Sequence, residues 1–299
     1  MATVWKARQI SLDRLVAIKV LSPRIAGNAA DVERFHTECR TAAMLKHPGI
    51  VQVYDAMVHE GLYCLVMEYV AGESIGNRIR RKKRLPENEA LFVLDHVSRA
   101  LDHAWQTASL IHCDIKPDNI LIDADGSVKV TDLGLATTIG AMASLAPEDE
   151  VLGTPAYMSP EQIVGTPKLD CRTDIYSMGA TLYQMLTGRM LFEGASDDEI
   201  LELQLKGHVP DALDLTPTLS SRICWLTEKM LARERDHRHP DWSAVTADTV
   251  RLMRRHPPAP PLPPDGASVM QRSPRRQKVQ APSPTRAADA AIPVSAGPS

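Results

Sequence analysis

Hydrophobic and polar positions alternate at the start of the chain and then give way to helical spacing. Met1 to Arg8 and Leu15 to Leu21 read as two strands joined by the polar turn Gln9 to Arg14. In Val16-Ala17-Ile18-Lys19 the period of two puts Ala17, Lys19 and Leu21 on one face. Asp31 to Leu45 carries a helical pattern, with Phe35, Glu38, Ala42 and Leu45 near one side. Glu38 is then a carboxylate in an apolar stripe, where an unpaired charge is costly, and Lys19 is its natural partner. Val51 to His59 and Leu62 to Val70 predict a second hairpin, turning at Glu60-Gly61. From Pro86 to Ala108 apolar residues recur at helical spacing through Ala90, Val93, Leu94, Val97, Leu101 and Ala104. A later helix rich in Leu and Met opens near Asp174 and stops at Thr187-Gly188, where glycine suits the position after a helix end.

Between these helices lies a polar stretch, Ile111-His112-Cys113-Asp114-Ile115-Lys116-Pro117-Asp118-Asn119. Two short β-rich runs follow, flanking Asp125-Gly126, and then comes Asp132-Leu133-Gly134. Asp-Gly between such runs is a hairpin signal. A turn centred on that dipeptide sets Asn119 opposite Asp132, so two oxygen ligands meet at the open end of one hairpin. Asp114 and Lys116 sit on the loop entering it. A hard cation such as Mg²⁺ takes a carboxylate, an amide oxygen and phosphate oxygens in this way. A second carboxylate and an ammonium beside it suit phosphoryl transfer, where catalysis is mainly positioning and charge neutralisation.

At these residues the chain resembles the eukaryotic-type (Hanks-type) Ser/Thr protein kinases, especially their bacterial branch. His112 to Asn119 stands where the family has its H-R-D-x-K-x-x-x-N loop, and Asp132-Leu133-Gly134 where it has D-F-G. Val16-Ala17-Ile18-Lys19 matches the V-A-I-K strand, and His47-Pro48-Gly49-Ile50-Val51 matches H-P-x-I-V. Gly153-Thr154-Pro155-Ala156-Tyr157-Met158-Ser159-Pro160-Glu161 matches G-T-x-x-Y-x-(A/S)-P-E, and Arg235 to Pro240 resembles the closing motif. The resemblance runs from Ala2 to Val250. It implies an α+β, two-lobed fold: an N-lobe with hinge over 1–70, a helical C-lobe over 71–255, and a tail over 256–299.

The resemblance also implies the site. Asp114 would accept the proton of a substrate hydroxyl, Lys116 would neutralise the travelling phosphoryl group, and Thr154 would favour Ser/Thr substrates. Lys19 braced by Glu38 would grip the phosphates of ATP. Asn119 and Asp132 would hold Mg²⁺ or Mn²⁺. Ala17 and Met67 would line the nucleotide, with main-chain groups of Glu68 and Val70 on the adenine edge. Asp174 would cap the catalytic-loop backbone and Arg238 would pair with Glu161. The implied partners are protein substrates bearing Ser or Thr. A docking module that keeps the fold without turnover is the alternative.

Composition narrows the setting. The chain has 299 residues, 44% hydrophobic and 24% charged, ordinary for a globular protein. The net charge of −3 argues against general nucleic-acid binding. From Arg251 onward eight Lys/Arg stand against two Asp, so this end carries +6 and the rest −9. The five cysteines, Cys39, Cys64, Cys113, Cys171 and Cys224, form no C-x-x-C pair and read as reduced thiols. No apolar run reaches membrane-spanning length, which with the thiols predicts a cytoplasmic protein. From His256 the sequence turns to Pro257-Pro258-Ala259-Pro260-Pro261-Leu262-Pro263-Pro264 and then to Ala, Ser, Pro and Arg. Such a segment reads as a disordered, solubilising tail, with a Pro-rich ligand for a partner groove as the alternative.

Three positions depart from the family pattern. Ala2-Thr3-Val4 aligns with the last three positions of G-x-G-x-x-G-x-V, so the glycines that cover the phosphates are missing and an upstream start is expected. Cys113 replaces the Arg of H-R-D, the usual partner of a phosphorylated activation loop. Leu133 replaces the Phe of D-F-G.

Overall fold

The computed structural model describes residues 3–20, 39–59, 62–133 and 154–277. Strands β1 (Thr3–Gln9) and β2 (Arg14–Val20) pair antiparallel. A single 3₁₀ turn joins them, closed by Asp13 in the left-handed region. Strands β3 (Val53–His59) and β4 (Leu62–Glu68) complete a four-stranded sheet in the order β1-β2-β4-β3. Residues 39–44 are helical, and Cys39 and Leu65 pack there with Val53, Ala56 and Tyr63. This small cluster anchors the N-lobe sheet. Outer strand β1 leaves Val4 and Trp5 in solvent.

The C-lobe is mostly helical. A short β5 (Glu73–Ser74) joins the hairpin of β6 (Ile120–Ile122) and β7 (Val128–Val130) in one small sheet. Ser74 caps α1 (Ile75–Lys82) by accepting from the Asn77 amide, the preferred use of serine at a helix start. Helix α2 (Glu87–Ala108) begins with Glu87 and Glu89 in its first turn, where carboxylates meet the positive helix end. It buries the stripe Ala90, Val93, Leu94, Val97, Leu101 and Ala104 against the core. Then follow α3 (Pro160–Ile163), α4 (Cys171–Thr187), α5 (Asp197–Lys206), α6 (Ala212–Leu215), α7 (Ser221–Met230), α8 (Trp242–Met253) and α9 (Pro274–Gln277). Central α4 is buried on nearly every side, from Thr173 to Leu186, and ends at Gly188 with φ 77°. Among the described residues no helix is long and apolar enough to cross a membrane.

Two expectations need correction. The β6–β7 hairpin pairs Ile120 with Val130 and Ile122 with Val128, one residue off the register that a turn centred on Asp125-Gly126 gives. The loop holds five residues: the Asp123 amide donates to Ser127 O at 2.9 Å and the Gly126 amide to Asp123 O at 3.0 Å. Asn119 therefore meets Thr131, whose amide donates to Asn119 O at 3.0 Å. Asp132 lies one position beyond the pair.

The second correction concerns the tail. Residues 256–277 are not a disordered extension but lie on the C-lobe, with Val269 and Met270 0% and 2% exposed. The Pro-rich part is engaged as well, since the Ala259 amide donates to Asp248 and Lys229 donates to Ala259 O. Low apolar content misled the expectation, because backbone pairing and guanidinium–carboxylate contacts supply the order. Residues 278–299 lie outside the described residues.

Helices α4 and α7 cross where only glycine fits. A Cβ on Gly179 would sit 2.8 Å from Met230 Cβ and 3.2 Å from the Leu231 side chain. Gly179→Ala should therefore lower unfolding free energy by about 1–3 kcal/mol through overpacking. A reduced urea midpoint at unchanged slope is the expected result.

Candidate active site

The loop from His112 to Asn119 is held from behind before any of its side chains face solvent. His112 is fully buried. Its Nε2 lies 2.9 Å from Thr131 O and its Nδ1 3.3 Å from the Asp114 amide. The neutral ring with its hydrogen on Nε2 donates to the first and accepts from the second. Cys113 follows with φ 61°, a left-handed conformation that strains a non-glycine residue by about 1–3 kcal/mol. Buried Asp174 on α4 holds that turn. Its Oδ2 accepts from the His112 amide at 2.6 Å and its Oδ1 from the Cys113 amide at 2.7 Å. Burial pushes the Asp174 carboxyl above its ordinary range, against the pull of His112 and the two amide donors. On the other side of the turn Gln162 Nε2 donates to Cys113 O at 3.0 Å.

On this frame three polar side chains converge on one carboxylate. Asp114 Oδ2 accepts from Lys116 Nζ at 2.7 Å and from Asn119 Nδ2 at 3.1 Å. Thr154 Oγ1 donates to Asp114 Oδ1 at 3.0 Å and accepts from Lys116 Nζ at 2.6 Å. Asn119 Nδ2 also donates to Asp114 O at 2.8 Å. The Asp114 and Lys116 side chains remain about a quarter exposed, 26% and 24%, so the cluster opens to solvent on one side.

A second ion pair stands across the cleft. Lys19 Nζ lies 2.9 Å from Asp132 Oδ1, and Asp132 has φ 64°. Strand pairing sets Ala17 opposite buried Met67. Glu68 uses its amide on Gln52 O at 2.9 Å and its carboxylate on Lys129 at 3.0 Å. Val70 is half-buried just beyond it. Glu38, expected to brace Lys19, lies outside the described residues, as do Met1, Ala2, Gly134 and Gly153.

The donor set suits a hard divalent cation. Both contacts of Asn119 to Asp114 run through Nδ2, which leaves its Oδ1 as a further acceptor, and Asp132 supplies a carboxylate two positions beyond the hairpin end at Val130. These are oxygen donors of the type Mg²⁺ takes while keeping water and phosphate oxygens as its other ligands. Among the described residues no group of three or more His, Cys, Asp or Glu could hold a metal ion by itself.

Beneath the site Glu161 and Arg238 form a buried bidentate pair at 2.6 and 2.8 Å. Burial pushes the Glu161 carboxyl up, yet the Arg238 guanidinium outweighs it and holds the group below its ordinary range. Gln204 was not legible as a site residue. It is fully buried, and its Nε2 donates to Pro155 O at 3.2 Å and Ala156 O at 2.8 Å, fixing the segment after Thr154. Gln162 left one readable signal, the Ser159-x-x-Gln162 spacing of a capping box, which the structure forms.

A β-rich lobe and a helical lobe, bridged by the Lys19–Asp132 pair, make the two-lobed arrangement that the motifs imply. The chain belongs to the protein kinase domain family, which it matches over residues 1–248. It is 37% identical over 248 residues to the serine/threonine-protein kinase PrkC of Bacillus subtilis, covering 83% of this chain and 38% of that protein. It is 36% identical over 300 residues to the serine/threonine-protein kinase PknA of Mycobacterium tuberculosis, covering 98% of this chain and 64% of that protein. The chain thus spans between about a third and two thirds of the length of these relatives. Among solved structures, the Mycobacterium tuberculosis PknI kinase domain superposes with a TM-score of 0.66 at 24% identity, covering 84% of this chain and 91% of that one. The Hanks-type bacterial family and the two-lobed fold are as the motifs imply.

Removing Arg238 alone strands a buried carboxylate. Arg238→Ala should cost about 3–5 kcal/mol of unfolding free energy. The double change Arg238→Met with Glu161→Leu should recover most of it, measured by urea denaturation of the three proteins.

Proposed function

We propose that this chain is a serine/threonine protein kinase that transfers the γ-phosphate of ATP to Ser or Thr hydroxyls of protein substrates. One observation carries the reading most: a threonine hydroxyl already bridges the Asp114 carboxylate and the Lys116 ammonium, at 3.0 and 2.6 Å. The spacing of those two groups thus suits an aliphatic hydroxyl between them. The names of the relatives support the same activity.

In this reading Asp114 orients the substrate hydroxyl and accepts its proton as the oxygen bonds to the γ-phosphorus. The bond from that phosphorus to the β-γ bridging oxygen breaks, and ADP leaves. Lys116 neutralises charge on the transferring group, and Lys19 holds the phosphates. Asn119 Oδ1 and the Asp132 carboxylate would hold Mg²⁺ or Mn²⁺, which supplies charge neutralisation at the phosphate oxygens. Ala17 and Met67 line the nucleotide, while main-chain atoms of Glu68 and Val70 take the adenine edge. The amide of Glu68 is already taken by Gln52, so its carbonyl is the group assigned to adenine. Five free cysteines and an ATP-dependent reaction on protein substrates fit the cytoplasm.

Asp114→Asn should cut turnover by about 10²–10⁴-fold with nucleotide affinity nearly unchanged, as loss of a general base does. Phosphate transfer from radiolabelled ATP to casein, with nucleotide titration beside it, checks both halves. Near-normal turnover sinks the assignment.

Cys113 bears on regulation. Position 113 presents a thiol 5% exposed, with no cation. A phosphate on Thr137, Thr138 or Ser144, all outside the described residues, would find no charge there to bind. Phosphatase treatment should change turnover by less than a few-fold. Abolished activity after replacing all three residues with Ala would show the opposite.

A further inference from the structure

The chain beyond α8 fills a groove of the C-lobe that is built like a peptide site. Residues 267–276 lie outside the span matched to the family. Their backbone is bonded on two sides. The Arg233 amide donates to Ala267 O at 2.9 Å and the Val269 amide to Leu231 O at 3.2 Å. On the far side the Val209 amide donates to Val269 O at 2.9 Å and the Gln271 amide to Val209 O at 3.0 Å. An extended segment thus lies between the chain after α7 and the chain before α6.

Two arginines on that segment meet two carboxylates that solvent does not reach. Arg276 Nε lies 2.6 Å from Asp211 Oδ2, and its Nη1 2.6 Å from Glu228 Oε2. Arg272 Nε lies 2.8 Å from Glu228 Oε1. All three side chains of the inner pairs are buried, with Arg276 and Asp211 at 0% and Glu228 at 1%. The Trp225 ring carries both guanidinium groups, at 4.9 Å for Arg272 and 4.4 Å for Arg276, a cation–π arrangement. Asp211 further accepts from the Ser273 amide at 3.0 Å. Burial pushes the Glu228 carboxyl upward against the pull of Arg276 and Arg272. Without these arginines Glu228 would be a buried carboxylate with no guanidinium beside it, and Asp211 would keep its amide donors but lose its guanidinium, a state proteins avoid.

The groove also connects to the active site. Arg233 Nη1 donates to Ser268 O at 3.2 Å, and its Nε to Leu205 O at 3.0 Å. A further bond runs from Arg233 to Gly207 O, so one guanidinium joins the segment to the end of α5. Gln204 of α5 donates to Pro155 O and Ala156 O, and Thr154 precedes them against Asp114.

We infer that residues 267–276 are a tethered ligand of a groove for an arginine-x-x-x-arginine peptide, and that its docking fixes α5 and thereby positions the Thr154 segment for a protein substrate. The docking stands on the geometry alone. Its catalytic consequence rests on the kinase reading above.

The test uses the full chain with Arg272→Ala and Arg276→Ala. Trp225 emission, taken as the difference from the matching chains with Trp225→Phe because Trp5, Trp105 and Trp242 also emit, should shift to the red as the ring loses its cover, while far-UV circular dichroism stays native. KM for casein should rise or kcat fall by about 5–100-fold, the span of typical coupling between sites. ATP affinity should stay within about twofold. A synthetic peptide of residues 262–277, added in excess, should reverse both changes, and the same peptide with Arg276→Gln should not. Should the double alanine chain lose its fold, Asp211→Asn with Arg276→Gln removes the pair with Asp211 while Glu228 keeps its contact with Arg272, and the same readouts apply. Unshifted emission in a folded variant overturns the docking. Shifted emission with unchanged casein kinetics overturns the positioning role. A wild-type chain that phosphorylates no protein refutes the kinase reading and the positioning role with it, while emission and peptide binding still decide the docking.

Discussion

The loop from His112 to Asn119 turns on a carboxylate that water does not reach. Asp174 sits 1% exposed on the most buried helix of the C-lobe, where an ionised group is stable only when fully bonded. The amides of His112 and Cys113 supply those bonds. In return the carboxylate holds Cys113 in a backbone state that a residue with a Cβ adopts rarely. The gain is direction: Asp114 leaves the turn pointing at Lys116, Asn119 and Thr154. A loop fixed by packed helices is pre-organised, and pre-organisation is what phosphoryl transfer asks of a protein.

The same logic recurs around the helical lobe. Arg238 with Glu161, and Arg276 with Asp211, are ion pairs closed off from solvent. Such pairs add little net stability over a packed apolar pair but make the loss of one partner severe. Their effect is to fix which segments meet. Glu161 binds the start of α3 to the chain after α7, and Asp211 binds the start of α6 to α9. Specific charge pairing thus stands where hydrophobic contact alone would leave the arrangement loose.

Much of this was legible in the residues. The strands around Lys19 and Met67, helix α2 with its apolar stripe, and the glycine end of α4 follow from periodicity and end signals. The loop from His112 to Asn119 was readable because its residue types have few uses together. Other parts were hidden for identifiable reasons. An Asp-Gly pair marks a turn but not its length, so the hairpin register slipped by one and Asp132 moved past Asn119. Gln204 was invisible because a single amide on a helix carries no pattern, and its partners are carbonyls far away in sequence. The segment after α8 misled because sequence hydrophobicity measures apolar mass, whereas Val269 and Met270 pair through their backbones and Arg276 is buried through its charge. Whether Glu38 braces Lys19 lies beyond the described residues.

The buried thiol beside the Asp114 carboxylate has a chemical consequence. Burial, then the negative charges of Asp174 and Asp114, push the Cys113 thiol far above its ordinary range. The thiolate is the form that attacks electrophiles and is oxidised to sulfenic acid. Burial and these two charges therefore favour the protonated thiol, one residue from the Asp114 carboxylate. A cysteine in that position would look like a handle for peroxide sensing or for covalent inhibitors. Here burial and the two carboxylates work against the thiolate that such chemistry needs.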